Sequence, residues 1–160
     1  MIALNQNEIA EFTEATLGAK RTQYSYALLR YVHDVATGEF VNVGVVIYAP
    51  TIGYFDYQVR RSRGRIFDVV PDLKASSLKA VVRTLTRRLD ELTSSTRMAL
   101  KYGDSAKSFE QLVASVLPKD DSALIWANSG TGVAANVPKV LERLYERYAA
   151  KYDRAPTSNP

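Results

Sequence analysis

The chain of 160 residues contains no cysteine and a single histidine, His33. Without cysteine it can form no disulfide, no thiolate zinc site and no cysteine nucleophile. With one histidine, metal sites built from several imidazoles are excluded, and a catalytic triad would have to use His33. No apolar run is typical of a membrane span, and the first residues lack the basic and apolar regions of a secretory signal. These absences predict a cytoplasmic protein without a metal or another cofactor.

The composition is that of a globular protein, with 46% hydrophobic and 24% charged residues. A chain of this length buries roughly two thirds of its surface and folds as one domain without staples. We expect an acidic helical arm over residues 1–20, a single α+β domain over residues 21–152 and a disordered tail over residues 153–160.

Runs rich in aromatic and β-branched residues predict an antiparallel sheet. Strands are expected over residues 23–33, 40–48 and 54–60, joined by short turns into a meander, and residues 122–127 are a candidate for a fourth strand. Residues 128–132 contain two glycines and are interpreted as a flexible loop. They lack the lysine and the spacing of a phosphate-binding loop.

Gly44 and Asn42 stand inside the strongest predicted strand. A glycine in a buried strand costs stability, so Gly44 is expected to mark a bulge or a close approach of two backbones. Asn42 needs a hydrogen-bond partner if its side chain points inward.

Helical periodicity is clearest in the segment that follows Pro71. Apolar residues recur there at the i, i+3, i+4, i+7 spacing of an amphipathic helix: Leu78, Val81, Val82, Leu85, Leu89 and Leu92. A shorter helix is expected over residues 105–116, and a C-terminal helix begins near Pro138. The predicted fold is α+β, an antiparallel three- to four-stranded meander packed against the long amphipathic helix and the C-terminal helix. Both helices are expected to cover one face of the sheet.

Positive charge is concentrated between Gln58 and Asp90, where nine Lys and Arg residues face three Asp residues, a net charge of +6. The candidate binding residues for nucleic acid or for an acidic partner are Arg60, Arg61, Arg63, Arg65, Lys79, Arg83 and Arg87. Basic residues in a loop and on one helix face could neutralise phosphates without reading sequence. A solvated or internally neutralised face is the alternative.

The acidic arm carries the opposite charge. Glu8 and Glu11 accompany a narrow apolar edge formed by Ile9 and Phe12. A helix this short is marginal alone in water, so it must dock to be ordered. The arm is expected to dock on a partner protein, and the chain's own basic helix is the alternative site.

Carboxylates leave an enzymatic hypothesis open. His33 and Asp34 precede a turn, with Glu39 across it, and Asp56 lies in the third predicted strand. No nucleophile motif accompanies them, so a hydrogen-bonded hairpin histidine is favoured and no catalytic residue is assigned. A carboxylate-dependent enzyme remains the third hypothesis.

Three stretches carry a family resemblance: YSYALLRYVHDVATGEFVNVGVVIYAP from Tyr24 to Pro50, the Arg65-Ile66 step, and LERLYERY from Leu141 to Tyr148. They resemble the bacterial domain of unknown function 3037. The resemblance brings no binding or catalytic residue with it. It implies a bacterial stress, toxin–antitoxin or defence setting, in which we expect a non-catalytic protein-interaction module working with a HipA-like kinase. Sequence-independent nucleic-acid binding is the alternative.

Overall fold

One antiparallel sheet organises the fold. The computed structural model describes residues 21–60, 75–103, 107–117 and 124–150. In chain order the elements are β1 (Thr22–Asp34), β2 (Glu39–Ala49), β3 (Tyr54–Val59), α1 (Ala75–Lys101), α2 (Phe109–Val116), β4 (Leu124–Ala134) and α3 (Val137–Tyr148). The strand order is β3-β2-β1-β4. This confirms the α+β prediction and the meander, to which β4 adds beside β1.

The helices lie on opposite faces of the sheet. Along β2, Val46 and Tyr48 pack with α1 and α2, whereas Val45 and Ile47 pack with α3. The expectation that both helices cover one face was therefore wrong. Because successive strand residues point to opposite faces, a strand that is apolar at every position needs cover on both sides.

A bulge in β2 interrupts the alternation of its side chains between the two faces of the sheet. The pairing passes from Leu29 opposite Gly44 to Arg30 opposite Asn42, so Val43 is the extra residue. A Cβ atom on Gly44 would lie 2.9 Å from the carbonyl oxygen of Gln58 in β3. Both parts of the prediction for Gly44, a bulge and a close backbone approach, are confirmed.

The same bulge sends Asn42 toward α3. Its Oδ1 accepts a hydrogen bond from Arg30 Nε at 3.1 Å, and its Nδ2 donates to the carbonyl oxygen of Tyr148 at 3.0 Å. Asn42 therefore has the inward partners that its position requires, and they join the sheet to the end of α3.

β4 continues through the residues predicted to form a loop. Gly130 and Gly132 lie in the strand opposite Tyr26 and Tyr24, and the tyrosine rings occupy the space above the two glycines. These rings supply the packing that a glycine in a strand lacks. The pairing register of β4 with β1 also shifts once. Between the pairs Leu28–Ala127 and Tyr26–Gly130, β4 has one residue more than β1.

Candidate functional site

The basic residues separate into three groups. Lys79, Arg83 and Arg87, the basic stripe, are exposed on α1, and none forms a hydrogen bond or ion pair with a residue that the structure describes. Residues 61–74, with the other three loop arginines, lie outside the described residues. Arg60 differs from both groups, since only 5% of it is exposed.

Arg60 joins the sheet to a helix end instead of forming part of an exposed binding surface. Its backbone N–H donates to the carbonyl of Val43 at 2.8 Å, and its guanidinium donates to the carbonyl of Ala149, just after α3. A cation is favourable at a helix C-terminus, where the dipole is negative. Arg60 follows Tyr54 by six positions, so both side chains lie on the same face of an alternating strand. The sequence pattern therefore already indicated that Arg60 lies on the face covered by α3.

An apolar groove of about 280 Å³ lies beside the basic stripe. Its lining includes Ala80, Val81, Thr84, Arg88, Leu117 and Leu124. Arg88 Nη1 donates to the carbonyl of Val116 at 3.1 Å, which ties α1 to the end of α2 along the groove. Sequence reasoning identified the stripe but missed the groove, because the groove needs the packing of α1 against α2 and β4.

The three carboxylate residues considered for catalysis do not form one cluster, because Asp56 lies apart from the other two. Asp34 and Glu39 face each other across the β1–β2 turn, and Asp34 Oδ1 accepts hydrogen bonds from the backbone N–H groups of Ala36 and Thr37 at 2.9 and 3.2 Å. Asp56 is level with Ile47 in β2, far from that turn. In the part of the chain that the structure describes, no three His, Asp or Glu side chains converge on a metal site.

One edge of the sheet, along β3, is blocked by side chains. The backbone N–H of Arg60 points toward β2, to which it is bonded. Because the backbone groups of successive residues in an antiparallel strand point alternately to the two sides, the carbonyl of Phe55 and the N–H of Tyr57 point away from β2. Arg97 Nε donates to the Phe55 carbonyl at 3.0 Å, and Asp56 Oδ1 accepts from the Tyr57 N–H at 2.8 Å. Two of the outward backbone groups of β3 are therefore already bonded.

Asp56 also organises a small polar cluster at this edge. It forms an ion pair with Arg97 at 3.4 Å and accepts a hydrogen bond from the Tyr54 hydroxyl at 3.1 Å. Burial, followed by the charge of Asp56, raises the pKa of Tyr54 to about 12. The cluster fixes the side chains that block β3.

The other edge, along β4, carries no such protection among the residues that the structure describes. Its 11 residues, LIWANSGTGVA, include no charge and no proline. Among residues 21–60, 75–103, 107–117 and 124–150, no strand pairs with its outer side. Ile125 and Val133 are exposed along it, at 44% and 56%. A long edge strand without charge or proline invites pairing with another chain.

The acidic arm, with Glu8, Ile9, Glu11 and Phe12, lies outside the described residues, as does the tail over residues 153–160. Among the helices that the structure describes, none is long and apolar enough to cross a membrane.

Comparison with known proteins gives a family. Neither the curated proteins nor the solved structures provide a match to the chain. The sequence profile described as Protein of unknown function (DUF3037) matches residues 26–149, from β1 to the residue after α3. The chain therefore belongs to the DUF3037 family.

Proposed function

We propose that this protein is a non-catalytic protein-interaction module of a bacterial stress, toxin–antitoxin or defence system. It acts in the cytoplasm and binds a partner that adds a strand to the edge of β4. The observation that carries the proposal is the contrast between the unprotected edge of β4 and the blocked edge of β3.

Strand addition suits this edge physically. The main chain of an added strand bonds to the outward N–H and C=O groups, and side-chain contacts supply specificity. Exposed Ile125 and Val133 offer apolar contacts beside those bonds. Because β4 is uncharged, a charged partner strand would lose hydration without gaining an ion pair, so we expect an uncharged partner segment.

A HipA-like kinase is the partner class that the family resemblance suggests. The kinase would supply the chemistry of the complex, and this chain would supply binding. A binding role without catalysis agrees with the positions of the carboxylates, since Asp34 and Glu39 lie at the β1–β2 turn and Asp56 lies apart from them.

The test starts with purification of the tagged full chain from its host and identification of the protein bound to it. The complex is then reconstituted with Val133→Lys, which places one charge on an exposed position of β4. Gln58→Lys, which places the same charge on an exposed position of the blocked edge, is the matched control. We expect Val133→Lys to lose the partner and the control to keep it.

Two results would contradict the proposal. One is recovery of the chain as a free monomer or with nucleic acid alone. The other is a complex whose affinity is lowered equally by the β4 variant and by Gln58→Lys, since that would indicate a general charge effect.

Nucleic-acid binding through the basic stripe is the second candidate, supported by the exposure of its three cations. Replacing Arg83 and Arg87 with Ala should lower the salt slope of binding by about one unit per lost phosphate contact. Binding of duplex DNA with unchanged affinity and slope would remove the stripe from consideration.

A further inference from the structure

We infer that, without its partner, the protein forms a two-fold symmetric dimer in which the C-terminal half of β4 pairs antiparallel with the same residues of a second copy. The pairing is centred on Thr131. This dimer occupies the edge that the proposed function assigns to the partner, so its regulatory role rests on that proposal.

The alternation of backbone groups across the ladder decides which residues of β1 bond toward β4. The backbone groups of Phe55 point away from β2, so those of Tyr48, its partner in β2, point toward β1. Tyr48 is paired with Ser25 of β1. Because the groups of Ser25 point toward β2, those of its neighbour Tyr26 point toward β4.

In β4, the backbone groups of Thr131 and Val133 consequently point outward. Gly130 is paired with Tyr26 and bonds toward β1, so the groups of the next residue, Thr131, point away from β1, as do those of Val133. No residue that the structure describes bonds to these outward groups. Each of the two residues offers an N–H and a C=O to a further strand.

A second copy fits these groups because the stretch from Ser129 to Val133 is complementary to itself. In antiparallel pairing centred on Thr131, the two Thr131 residues exchange both backbone hydrogen bonds. Val133 then lies opposite Ser129 of the second copy, and each glycine of the stretch faces the other glycine. The stretch carries no charge, so the two-fold axis brings no like charges together.

The described residues leave room for this pairing on both faces of the sheet. On one face, α3 packs chiefly on β2 and β3. On the other face, α2 reaches β4 at Trp126, whose Nε1 donates to the carbonyl of Val113 at 2.8 Å, five residues before Thr131. Ser129, Thr131 and Val133 are themselves exposed.

Two tyrosines favour the pairing on the α3 face. The hydroxyl ends of Tyr26 and Tyr24 lie over Gly130 and Gly132. Because these glycines face each other across the two-fold axis, the four rings of the dimer would form one aromatic cover over the new ladder. Both tyrosines are partly exposed in one copy, so pairing would bury further ring surface.

The blocked edge of β3 limits the assembly to two copies. A two-fold contact uses the same stretch in both copies, so no second β4 edge is left. Both outer edges of the joined sheet are then β3, where Arg97 and Asp56 bond to outward groups. The unlike edges therefore give a closed dimer instead of an extending fibre.

The dimer withholds the edge of β4 from other strands. A partner that adds a strand there must first separate the two copies. The concentration of this protein therefore sets how readily the partner binds.

The absence of cysteine permits a direct test, because a single introduced cysteine can form a disulfide only between two copies. Directly opposite residues of a hydrogen-bonded pair have Cα atoms about 5.5 Å apart, within the range of a disulfide. Thr131→Cys, on the two-fold axis, should therefore form a covalent dimer. Val133→Cys is the matched control, since it is exposed on the same strand but is displaced from its copy by roughly 13 Å along the ladder.

We expect Thr131→Cys to cross-link about tenfold faster than Val133→Cys at the same protein concentration. A mixture of Ser129→Cys and Val133→Cys chains should cross-link faster than either chain alone, because these two positions face each other. The unchanged chain should sediment as a dimer that dissociates on dilution. Thr131→Lys should be a monomer, because two lysines would face each other, and Gln58→Lys should remain a dimer.

Equal cross-linking rates at Thr131 and Val133, or a chain that sediments as a monomer at every concentration, would overturn the dimer. A monomer whose partner is lost on Val133→Lys overturns the dimer alone and leaves the proposed function standing. If the Thr131→Cys disulfide leaves partner binding unchanged, the dimer stands and strand addition at β4 is overturned. Circular dichroism checks folding, and the Ser129 and Val133 mixture tests the register without any change at Thr131.

Discussion

The two edge strands of the sheet, β3 and β4, differ in how they are protected against pairing with another chain. β3 has six residues, a charged Asp56, and two outward backbone groups bonded to the side chains of Arg97 and Asp56. β4 has 11 residues without a charge, and no described side chain bonds to its outward backbone. Natural sheets usually blunt their edges against unwanted pairing. Among the described residues, side chains bond to outward backbone groups of β3 and not to those of β4, and this contrast is the basis of the proposed strand addition.

The blocking device depends on tertiary structure. Arg97 reaches β3 from α1, 42 residues away along the chain. The Arg97 part of the block therefore exists only when α1 is packed on the sheet, whereas the bond between Asp56 and the Tyr57 N–H lies within β3 itself. The predictions that follow disturb this arrangement, from the largest expected effect to the smallest.

Gly44→Ala should weaken the attachment of β3 most. The new Cβ would lie 2.9 Å from the Gln58 carbonyl oxygen, and a backbone atom cannot rotate away. We expect a loss of about 1–3 kcal/mol in the free energy of unfolding, typical of overpacking, measured by urea denaturation.

Gly130→Ala in β4 is the matched control. Its Cβ would meet the end of the Tyr26 ring at 2.6 Å, and that side chain can swing aside. It should therefore cost less than Gly44→Ala. An equal cost would show that the close approach at β3 is no tighter than the one at β4.

Arg97→Ala should open the blocked edge. The variant frees the Phe55 carbonyl and leaves Asp56 without its ion pair. We expect a loss of about 1 kcal/mol from the hydrogen bond, with little from the half-exposed ion pair. We also expect self-association beyond a dimer in analytical ultracentrifugation.

Arg87→Ala removes the same charge from an exposed position on α1 and should leave both stability and association unchanged. If Arg97→Ala associates no further than this control, the side chain of Arg97 does not protect the edge.

The smallest expected effect is on the pH dependence of the free energy of unfolding at alkaline pH. An unfolded tyrosine loses its proton near pH 10, but Tyr54 in the folded chain holds it to about pH 12. The folded state therefore binds more protons between these values, and its stability falls as pH rises through them. Tyr54→Phe should reduce this fall, measured as urea midpoints at about pH 9 and about pH 11. Tyr102→Phe, at a residue 71% exposed, should not.

Local patterns predicted much of the fold. The alternation and periodicity of the sequence identified the strands of the meander and the long helix, and the glycine of β2 indicated the bulge. Residues 128–132 were misread because the tyrosines that cover their glycines belong to β1, about a hundred residues earlier. The placement of α3 on the opposite face from α1 likewise depends on long-range packing.

The candidate surfaces were harder to predict than the fold. The basic stripe follows directly from helical spacing, but burial of Arg60 depends on where α3 ends. An open edge cannot be identified from a strand's own residues alone, because strand order decides which strands are edges.

The extra residue in β4 interrupts the regular alternation of side chains between the two faces of the sheet along that strand. Ile125 is opposite Arg30 and Val133 is opposite Gln23, seven positions apart in β1, so the two apolar residues lie on different faces of the sheet. A regularly alternating ligand cannot match both halves of the strand. Recognition is therefore expected to use a short linear motif of about five residues, the typical length of a strand. So short a contact would be reversible, and competing ligands could exchange on this edge.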